Sequence, residues 1–253
     1  MIVDLSINPS KISDDIVKFI RQTVTGAGFS KVIVGLSGGI DSAVSCSLAV
    51  SALEKENVYV ALLPYGDLDK EGIGHAKLLI DFLKIPSSSV HLIDIKPLLD
   101  QIAKIDPGMD DLRKGNIMSR MRMILLFDLA KKYKALVLGT ENKTEHLLGY
   151  FTRFGDSASD IEPIRHLYKT QVRKLAKYLK IPEKIIKKTP TAGLWQGQTD
   201  EREFGFSYGE ADQILLLYLD QKKNVEEIVN KGIKLEQVEK VVKRLKANEF
   251  KHR

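Results

Sequence analysis

Short apolar runs alternate with longer amphipathic stretches along this chain of 253 residues. Runs rich in β-branched and other apolar residues predict four buried strands, over residues 31–36, 59–63, 90–93 and 135–139. Apolar residues recurring every three or four positions predict helices over residues 11–25, 41–56, 71–84, 111–133, 168–180, 207–220, 224–231 and 234–248. Strands and helices therefore alternate over the first half, and helices dominate the end.

This alternation indicates the fold class. A strand, a helix and a second strand form a parallel β-α-β unit, whose crossover is nearly always right-handed. We therefore expect an α/β fold, namely a doubly wound parallel sheet with helices on both faces and a helical C-terminal region. The sequence contains no internal repeat or low-complexity linker, so residues 1–253 are expected to form a single domain.

Composition narrows the classes of function. Hydrophobic residues make up 43% of the chain and charged residues 28%, and the net charge of +6 favours anionic partners. The lysines are mixed with glutamates in helical stretches, so the charge does not indicate nucleic-acid binding. No apolar run approaches the ~18 residues of a membrane span. The acidic N-terminal segment and the single Cys46 favour a location in the cytoplasm.

The first of two polar turns, GLSGGIDS, spans residues 35–42 and follows the first strand. Glycines permit close approach of a ligand to the backbone, and the next helix directs its free N–H groups at the turn, which suits phosphate. A carboxylate repels phosphate, so Asp41 indicates a Mg²⁺ ion bound between them. On these features alone, a plain turn with Asp41 or Ser42 as a helix cap is a competing interpretation.

The second polar turn, GTENKTE, spans residues 139–145 and follows the fourth strand. Ligands of parallel sheets bind beyond the carboxyl ends of the strands, so both turns are candidate sites. Asn142 and Glu145 also have the i, i+3 spacing of a capping box, which is the alternative to a ligand-binding role for Glu145.

Several motifs together resemble a known family. SGGIDS (37–42) resembles the pyrophosphate loop of the N-type ATP pyrophosphatases. The segment 139–172 resembles the central signature of NAD synthetase, and PTAGLWQGQTDEREFGF (190–206) resembles a further segment of that family. LPYG (63–66) and RKGNIMSRMRM (113–123) also fit. The resemblance covers nearly the whole chain and indicates an ammonia-dependent NAD synthetase.

The resemblance implies an adenine nucleotide alpha-hydrolase-like fold and an amide-forming ligase. The nicotinate carboxylate of deamido-NAD would attack the α-phosphate of ATP and release pyrophosphate, and ammonia would then displace AMP to give NAD. No protein nucleophile is implied. Glutamine-using relatives carry an amidase domain with a catalytic cysteine, whereas Cys46 lies within a predicted helix, so free ammonia is the expected donor.

The resemblance also assigns residues, position by position. ATP would contact Gly35, Leu36, Ser37, Gly38, Gly39, Ile40, Asp41, Ser42, Thr140, Lys169 and Thr191. Mg²⁺ would be held by Asp41 and Glu145. Deamido-NAD would contact Arg120, Arg153, Asp160, Phe250 and Lys251. Without the resemblance, Lys169 would be interpreted as an exposed lysine at a helix start and Asp160 as a turn cap.

Three positions depart from the family pattern. Arg153 stands where many relatives have lysine, Gly193 replaces an acidic residue, and Phe250 precedes Lys251 where some relatives have histidine. The family is dimeric, with the dinucleotide at the subunit interface. The apolar positions Ile117, Met121, Ile124 and Leu125 suit that interface or the monomer core, and the sequence leaves both open. A GMP synthetase-like enzyme and a non-catalytic nucleotide sensor are the rival functions.

Overall fold

The computed structural model describes residues 3–252. Four parallel strands form one sheet in the order β3-β2-β1-β4: β1 (Val32–Gly35), β2 (Val58–Leu62), β3 (Val90–Leu92) and β4 (Leu136–Leu138). Val34 of β1 pairs with Val60 of β2 on one side and with Leu138 of β4 on the other. Two of the neighbouring strands, β1 and β4, are far apart in sequence, so the sheet is wound in two directions.

Twelve α-helices surround the sheet and form the C-terminal region. They are α1 (Pro9–Gly26), α2 (Ile40–Leu53), α3 (Lys70–Leu83), α4 (Lys96–Ala103), α5 (Asp111–Tyr133), α6 (Lys143–Leu148), α7 (Lys169–Tyr178), α8 (Glu183–Lys187), α9 (Asp200–Phe204), α10 (Tyr208–Leu215), α11 (Val225–Val229) and α12 (Leu235–Ala247) within residues 3–252. A π-helical turn (Leu216–Asp220) continues α10, and a 3-10 turn (Glu249–His252) follows α12.

Both faces of the sheet are covered, because alternate side chains of a strand point to opposite faces. Val32 and Val34 pack with the helices α1, α2, α3 and α7. Ile33, between them, packs on the other face with α4 and α5. This two-sided burial explains the almost unbroken apolar run of β1 and confirms the predicted doubly wound fold.

The C-terminal helices have a core of their own. The buried residues of α10, α11 and α12 pack around Tyr168 and Tyr208, which are 2% and 0% exposed. This cluster adjoins the rest of the fold through contacts of α10 with α6 and α7. Within residues 3–252, no helix has the length and the apolar content that crossing a membrane requires.

The sequence pattern missed three short helices, α4, α8 and α9. Each of α4 and α8 buries one apolar side chain, Leu99 or Ile185, which is too little to produce a detectable period. The single helix predicted over 207–220 ends as a regular α-helix at Leu215 and continues as the π-helical turn. The helix predicted over 41–56 ends at Leu53 and is followed by a 3-10 turn, Lys55–Asn57.

Candidate active site

A cavity of about 780 Å³ opens at the carboxyl ends of β1 and β4, where the strand order reverses. The two polar turns of the sequence follow these neighbouring strands and therefore meet at one place. Residues predicted from the sequence line the cavity as follows: Gly35, Leu36, Ser37, Gly39, Ile40, Asp41, Ser42, Arg120, Thr140, Glu145, Arg153, Lys169, Thr191, Phe250 and Lys251. Gly38 and Asp160 are not among the described residues that line it.

The helix α2 begins at this cavity without a side-chain cap. Gly39 is its N-cap residue, and no side-chain capping hydrogen bond forms in the described chain. Ser42 Oγ instead donates to Gly39 O at 3.0 Å, and it lies 3.2 Å from Ser37 Oγ. The interpretation of Asp41 or Ser42 as a cap is therefore wrong. The N–H groups of the first turn, with the positive end of the helix dipole, favour an anion in the cavity.

Gly38 shapes the loop by packing against α3. Its φ is +73°, and a Cβ at this position would lie 2.1 Å from Gly72 O. Gly72 permits the approach in turn, since a Cβ there would lie 2.7 Å from Ser37 O. The glycine is therefore required by a contact between two backbones. A contact with a ligand is not needed to explain it.

A buried ion-pair cluster joins the two turns. Lys169, the first residue of α7, has a side chain only 3% exposed. Its Nζ lies 2.6 Å from Asp41 Oδ2 and 2.9 Å from Glu145 Oε1. The interpretation of Lys169 as an exposed lysine at a helix start is therefore wrong. The ammonium links the first turns of α2, α6 and α7 at one point of the cavity wall.

Burial and neighbouring charges shift the pKa values of two members of this cluster. Burial by itself would lower the pKa of Lys169, but Asp41 and Glu145 outweigh it and raise the pKa above its ordinary value. Lys169 is therefore a permanent cation. Burial raises the pKa of Glu145, and Lys169 opposes that effect. The pKa of Glu145 therefore stays above its ordinary value, so its carboxyl holds a proton more readily than that of an exposed glutamate.

Asn142 joins the Asp41 carboxylate to the backbone at the start of α6. Its Oδ1 accepts from Glu145 N at 3.0 Å, which caps α6, and its Nδ2 donates to Asp41 Oδ1 at 2.9 Å. Asn142 is completely buried. The predicted capping box forms only in part, because the Glu145 side chain extends to Lys169. Capping and a role in the cavity are thus compatible at this turn.

Two loops behind the cluster are joined by a buried carboxylate. Asp212 Oδ1 accepts from Thr144 Oγ1 at 2.5 Å, and Asp212 Oδ2 accepts from Thr170 N at 2.8 Å. Thr144 Oγ1 in turn accepts from Lys169 N at 2.9 Å. These bonds fix the starts of α6 and α7 relative to each other, so the Lys169 ammonium has a defined position.

Asp200 is a cavity residue that the sequence analysis did not single out. It begins α9, is 3% exposed and lines the cavity. Tyr208 and Tyr150 donate their hydroxyl hydrogens to it at 2.8 and 3.0 Å. Burial raises the pKa of Asp200, and Lys169 opposes this effect. The tyrosines come from separate segments, so no sequence spacing could have revealed the group.

Three arginines that line the cavity, Arg122, Arg173 and Arg244, were also missed. Arg122 donates from Nε to Leu63 O at 3.0 Å and lines the cavity. Arg173 lines the cavity one turn after Lys169 on α7, and it has no ion-pair or hydrogen-bond partner within residues 3–252. The i, i+4 spacing of Lys169 and Arg173 is the signal by which the sequence could have indicated it.

The residues predicted to bind the dinucleotide lie together in one part of the cavity, with one exception. Arg120 donates to Arg153 O from Nη2 at 3.3 Å. Lys251 Nζ donates to Gly149 O at 2.6 Å. Asp160 lies elsewhere, and its Oδ2 accepts from Val137 N of β4 at 2.7 Å. Asp160 thus stabilises the end of the sheet, and its contact with a dinucleotide stays a prediction.

The loop after α8 explains one departure from the family pattern. Thr191 Oγ1 accepts from Gly193 N at 3.0 Å, and Gly193 has a φ of +62°. This left-handed conformation is strained for other residues, which accounts for glycine at this position. Cys46 lies buried within α2, where burial raises the pKa of its thiol to about 12. It has the properties of a packing residue and lacks those of a nucleophile.

The cluster was also compared with the needs of a metal ion. No group of three or more histidine, cysteine or acidic side chains suits a metal in the described part of the chain. Mg²⁺ is nevertheless often held by one or two carboxylates together with substrate phosphates. Asp41 and Glu145 approach one point, the Lys169 Nζ, within 2.9 Å. Their oxygens fit Mg²⁺ when phosphates supply the remaining ligands.

A doubly wound parallel sheet with a glycine-rich turn and a helix N-terminus at its switch point defines a nucleotide-binding α/β enzyme. The family model of NAD synthase matches residues 12–253. The chain belongs to the NAD synthase family, which confirms the family and the class of ligase predicted from the sequence.

Individual relatives agree with this assignment. The NH3-dependent NAD+ synthetase of Fusobacterium nucleatum is 44% identical over 98% of this chain and 95% of the relative. The NH3-dependent NAD synthetase of Campylobacter jejuni has a TM-score of 0.82 and 32% identity, covering 98% of this chain and 97% of that one. The NMN synthetase of Francisella tularensis has a TM-score of 0.86 and 34% identity over the same shares.

Proposed function

We propose that this chain catalyses the ammonia-dependent synthesis of NAD. In the first step the nicotinate carboxylate of deamido-NAD attacks the α-phosphate of ATP, which releases pyrophosphate and leaves an acyl-adenylate. In the second step ammonia attacks the acyl carbon, and AMP leaves. The observation that carries the proposal is the Lys169 cluster beside the uncapped start of α2, at the switch point of an NAD synthase fold.

The protein's own groups act by positioning and by electrostatics. The first-turn N–H groups of α2 and the hydroxyls of Ser37 and Ser42 are placed to bind phosphate oxygens. Thr140 and Thr191 line the cavity and are proposed to contact the same nucleotide. Lys169 holds Asp41 in place beside the phosphate site. Arg120, Arg153, Phe250 and Lys251 are proposed to hold deamido-NAD at the other end.

Asp41 and Glu145 are proposed to hold Mg²⁺ together with the phosphates. Bound there, the ion would neutralise charge on the triphosphate and on the pyrophosphate that leaves. Lys169 pairs with both carboxylates and directs them at one point before the nucleotide arrives. Two carboxyl groups placed beside the phosphates are what make a cation favourable between them.

A product assay tests the reaction. The enzyme is mixed with ATP, Mg²⁺, ammonium and deamido-NAD, and NAD, AMP and pyrophosphate are expected in equal amounts. ADP with orthophosphate, or nucleotide binding without turnover, would contradict the proposal. Nicotinate mononucleotide is offered in a parallel reaction, because the Francisella relative is an NMN synthetase. Faster amidation of the mononucleotide than of deamido-NAD would change the proposed substrate, and the proposed adenylation and amidation steps would still apply.

The metal assignment is tested by titration with Mg²⁺. Asp41→Asn and Glu145→Gln each remove a proposed charged ligand, so both variants should need at least about tenfold more Mg²⁺ for half-maximal turnover. Asp81→Asn, a control on the exposed surface of α3, should titrate like the wild type. An unchanged requirement in the first two variants would move the ion to other ligands.

We further propose a homodimer and a single catalytic domain that works in the cytoplasm. Ile124 on α5 is 61% exposed, and the neighbouring Met121 and Leu125 are partly exposed, which a partner subunit would cover. Substituting Ile124 by aspartate should shift the sedimentation coefficient from that of a dimer to that of a monomer. A monomeric wild type would contradict the assembly. The lone buried thiol of Cys46 suits a reducing compartment.

A further inference from the structure

A small side pocket of about 270 Å³ lies next to the main cavity. Both are lined by Phe151, Arg153, Phe154, Ala158 and Lys251, so the two spaces adjoin at the end where the dinucleotide residues gather. Phe154 is 64% exposed and the Arg165 side chain is 39% exposed, which places the outer rim of the pocket at the protein surface. The pocket therefore connects the surface with the part of the main cavity that is lined by Arg153 and Lys251. We call this part the acid end, because the acid substrate deamido-NAD is proposed to bind there.

The inner wall of this pocket contains a buried acceptor with no partner. Glu141 lines the pocket and its side chain is 5% exposed. Its Oε2 lies 3.1 Å from His146 Nδ1 and 3.0 Å from Arg165 Nε. Its Oε1 is buried and has no hydrogen-bond partner within residues 3–252. A buried carboxylate oxygen without a donor is costly, which indicates that a donor from outside the chain occupies this position.

The charges around the pocket limit the identity of this donor. Arg153, Arg165 and Lys251 line the pocket together with Glu141, so cations outnumber the single carboxylate of the lining. A free cation such as ammonium is therefore disfavoured inside. A fully ionised anion has no hydrogen to donate to Glu141. The chemistry suits a small neutral hydrogen-bond donor, and NH3 is such a donor in the proposed reaction.

We propose that the side pocket is the route by which ammonia reaches the acyl-adenylate, with Glu141 Oε1 accepting a hydrogen bond from the waiting NH3. This inference rests on the proposed function, which requires a neutral nitrogen nucleophile. Ammonium leaves its proton with the solvent at the rim, and NH3 enters. The bond that Glu141 accepts leaves the nitrogen lone pair free to attack the acyl carbon. AMP leaves from this carbon, and the proton that the attacking nitrogen loses passes to the solvent.

Glu141→Gln tests the contact specifically. Arg165 Nε lies 3.0 Å from Oε2 as an ion pair without hydrogen-bond geometry, and a guanidinium repels an amide N–H, so the amide oxygen of the glutamine should keep the place of Oε2. The amide nitrogen then takes the place of Oε1, where it donates instead of accepting. The KM for ammonium should rise about tenfold or more, because a hydrogen bond to a charged acceptor is lost. The kcat at saturating ammonium and the KM values for ATP and deamido-NAD should stay within about threefold.

The adenylation step separates this inference from the proposed function. Exchange of labelled pyrophosphate into ATP, dependent on deamido-NAD and run without ammonium, reports acyl-adenylate formation alone. If the wild type shows no exchange, the proposed function fails. If the wild type exchanges, Glu141→Gln should exchange at the same rate, which also shows that the variant is folded.

Two further variants keep the inference open to contradiction. Glu162 is a neighbouring carboxylate whose oxygens are partnered by Ser159 Oγ at 2.6 Å and by Glu141 N at 3.2 Å. Glu162→Gln should leave the KM for ammonium within about twofold of the wild-type value, because Glu141 Oε1, the proposed acceptor, is retained. Ala158→Leu narrows the junction between the side pocket and the main cavity and should therefore raise the KM for ammonium. Three outcomes would overturn the inference. The KM for ammonium could stay unchanged in Glu141→Gln, or it could rise equally in Glu162→Gln. In the third outcome, Glu141→Gln raises the KM for deamido-NAD and leaves the KM for ammonium unchanged.

Discussion

The two ends of the cavity are built in different ways. At the nucleotide end, Lys169 is 3% exposed on its side chain and Asp41 is 15% exposed, and their atoms meet at 2.6 Å. At the acid end, Phe250 is 55% exposed and Phe154 is 64% exposed. One end is therefore preorganised by buried charges within the chain. The other presents side chains outward, where a substrate or a second subunit completes the site.

The largest effect is expected at the centre of the preorganised end. Lys169→Met leaves the carboxylates of Asp41 and Glu145 facing each other without a cation. Breaking a buried ion pair from one side costs about 3–5 kcal/mol. We expect a loss of unfolding free energy of that size in urea and a fall in kcat/KM of about a thousandfold or more.

Lys143→Met is the matched control for that variant. Lys143 begins the adjacent α6 and pairs with Asp220 at 2.6 Å, but their side chains are 24% and 39% exposed. Exposed pairs contribute about 0–1 kcal/mol, so this variant should lose little stability. Equal losses in both variants would mean that the Lys169 cluster is no more preorganised than a surface pair.

The loop at the nucleotide end gives the second test. Gly38→Ala places a methyl group 2.1 Å from Gly72 O and keeps a φ of +73°. Strain and overlap together should cost about 2–4 kcal/mol and raise the KM for ATP, because the loop must move away from α3.

Gly28→Ala serves as its control. Gly28 has a φ of +80°, and no described atom lies within 4 Å of an added Cβ. Only the conformational penalty of about 1 kcal/mol is expected there, with an unchanged KM for ATP. If Gly38→Ala behaves like Gly28→Ala, the backbone contact with α3 does not determine the shape of the loop.

The third test measures how the free energy of unfolding depends on pH, through the buried carboxyl group of Glu162. Burial raises the pKa of Glu162 from 4.5 to about 7, against the effects of Ser159 and Arg165. Between these values the folded state binds more protons than the unfolded state, so stability falls as the pH rises. Glu162→Gln cannot ionise. Its free energy of unfolding relative to the wild type should therefore increase by up to about 3 kcal/mol between pH 4.5 and pH 7.

Urea unfolding of both proteins at pH 5 and pH 8 measures this difference. Glu183→Gln removes one negative charge from the exposed surface of α8 and controls for net charge. A parallel pH dependence in wild type and Glu162→Gln would show that Glu162 is ionised without cost, as at an open surface.

The sequence predicted the parts of the site that local patterns encode, and it did not predict the parts that depend on tertiary packing. The two turns were recognisable because glycine, serine and carboxylate residues follow β-branched strands, and parallel pairing then brings them together. The contact of Gly38 with Gly72 and the hydroxyl bonds to Asp200 join segments through tertiary packing. No local pattern encodes them. For Asp160, the motif predicted a contact with a ligand. The structure shows that its carboxylate accepts a hydrogen bond from Val137 N of β4, which the motif did not indicate.

Arg173 lies between these cases. Its spacing from Lys169 was visible in the sequence, but the significance of that spacing depends on how the charges of Lys169 are used. Lys169 is already bound to two carboxylates, so the cluster has no positive charge to spare for the phosphates. Arg173 lines the same cavity and has no partner among residues 3–252. We therefore expect Arg173 to supply a positive charge to the pyrophosphate that leaves.

The last and smallest effect is expected from Arg173→Met. The KM for ATP should rise about tenfold, since one charge-assisted contact to phosphate is lost. The free energy of unfolding should change by less than about 0.5 kcal/mol, because no contact within the protein is broken. Lys177→Met, on the exposed surface of the same helix, should change neither quantity. A stability loss in Arg173→Met with an unchanged KM would make Arg173 part of the scaffold, and the phosphates would then depend on the helix N-terminus and the bound cation alone.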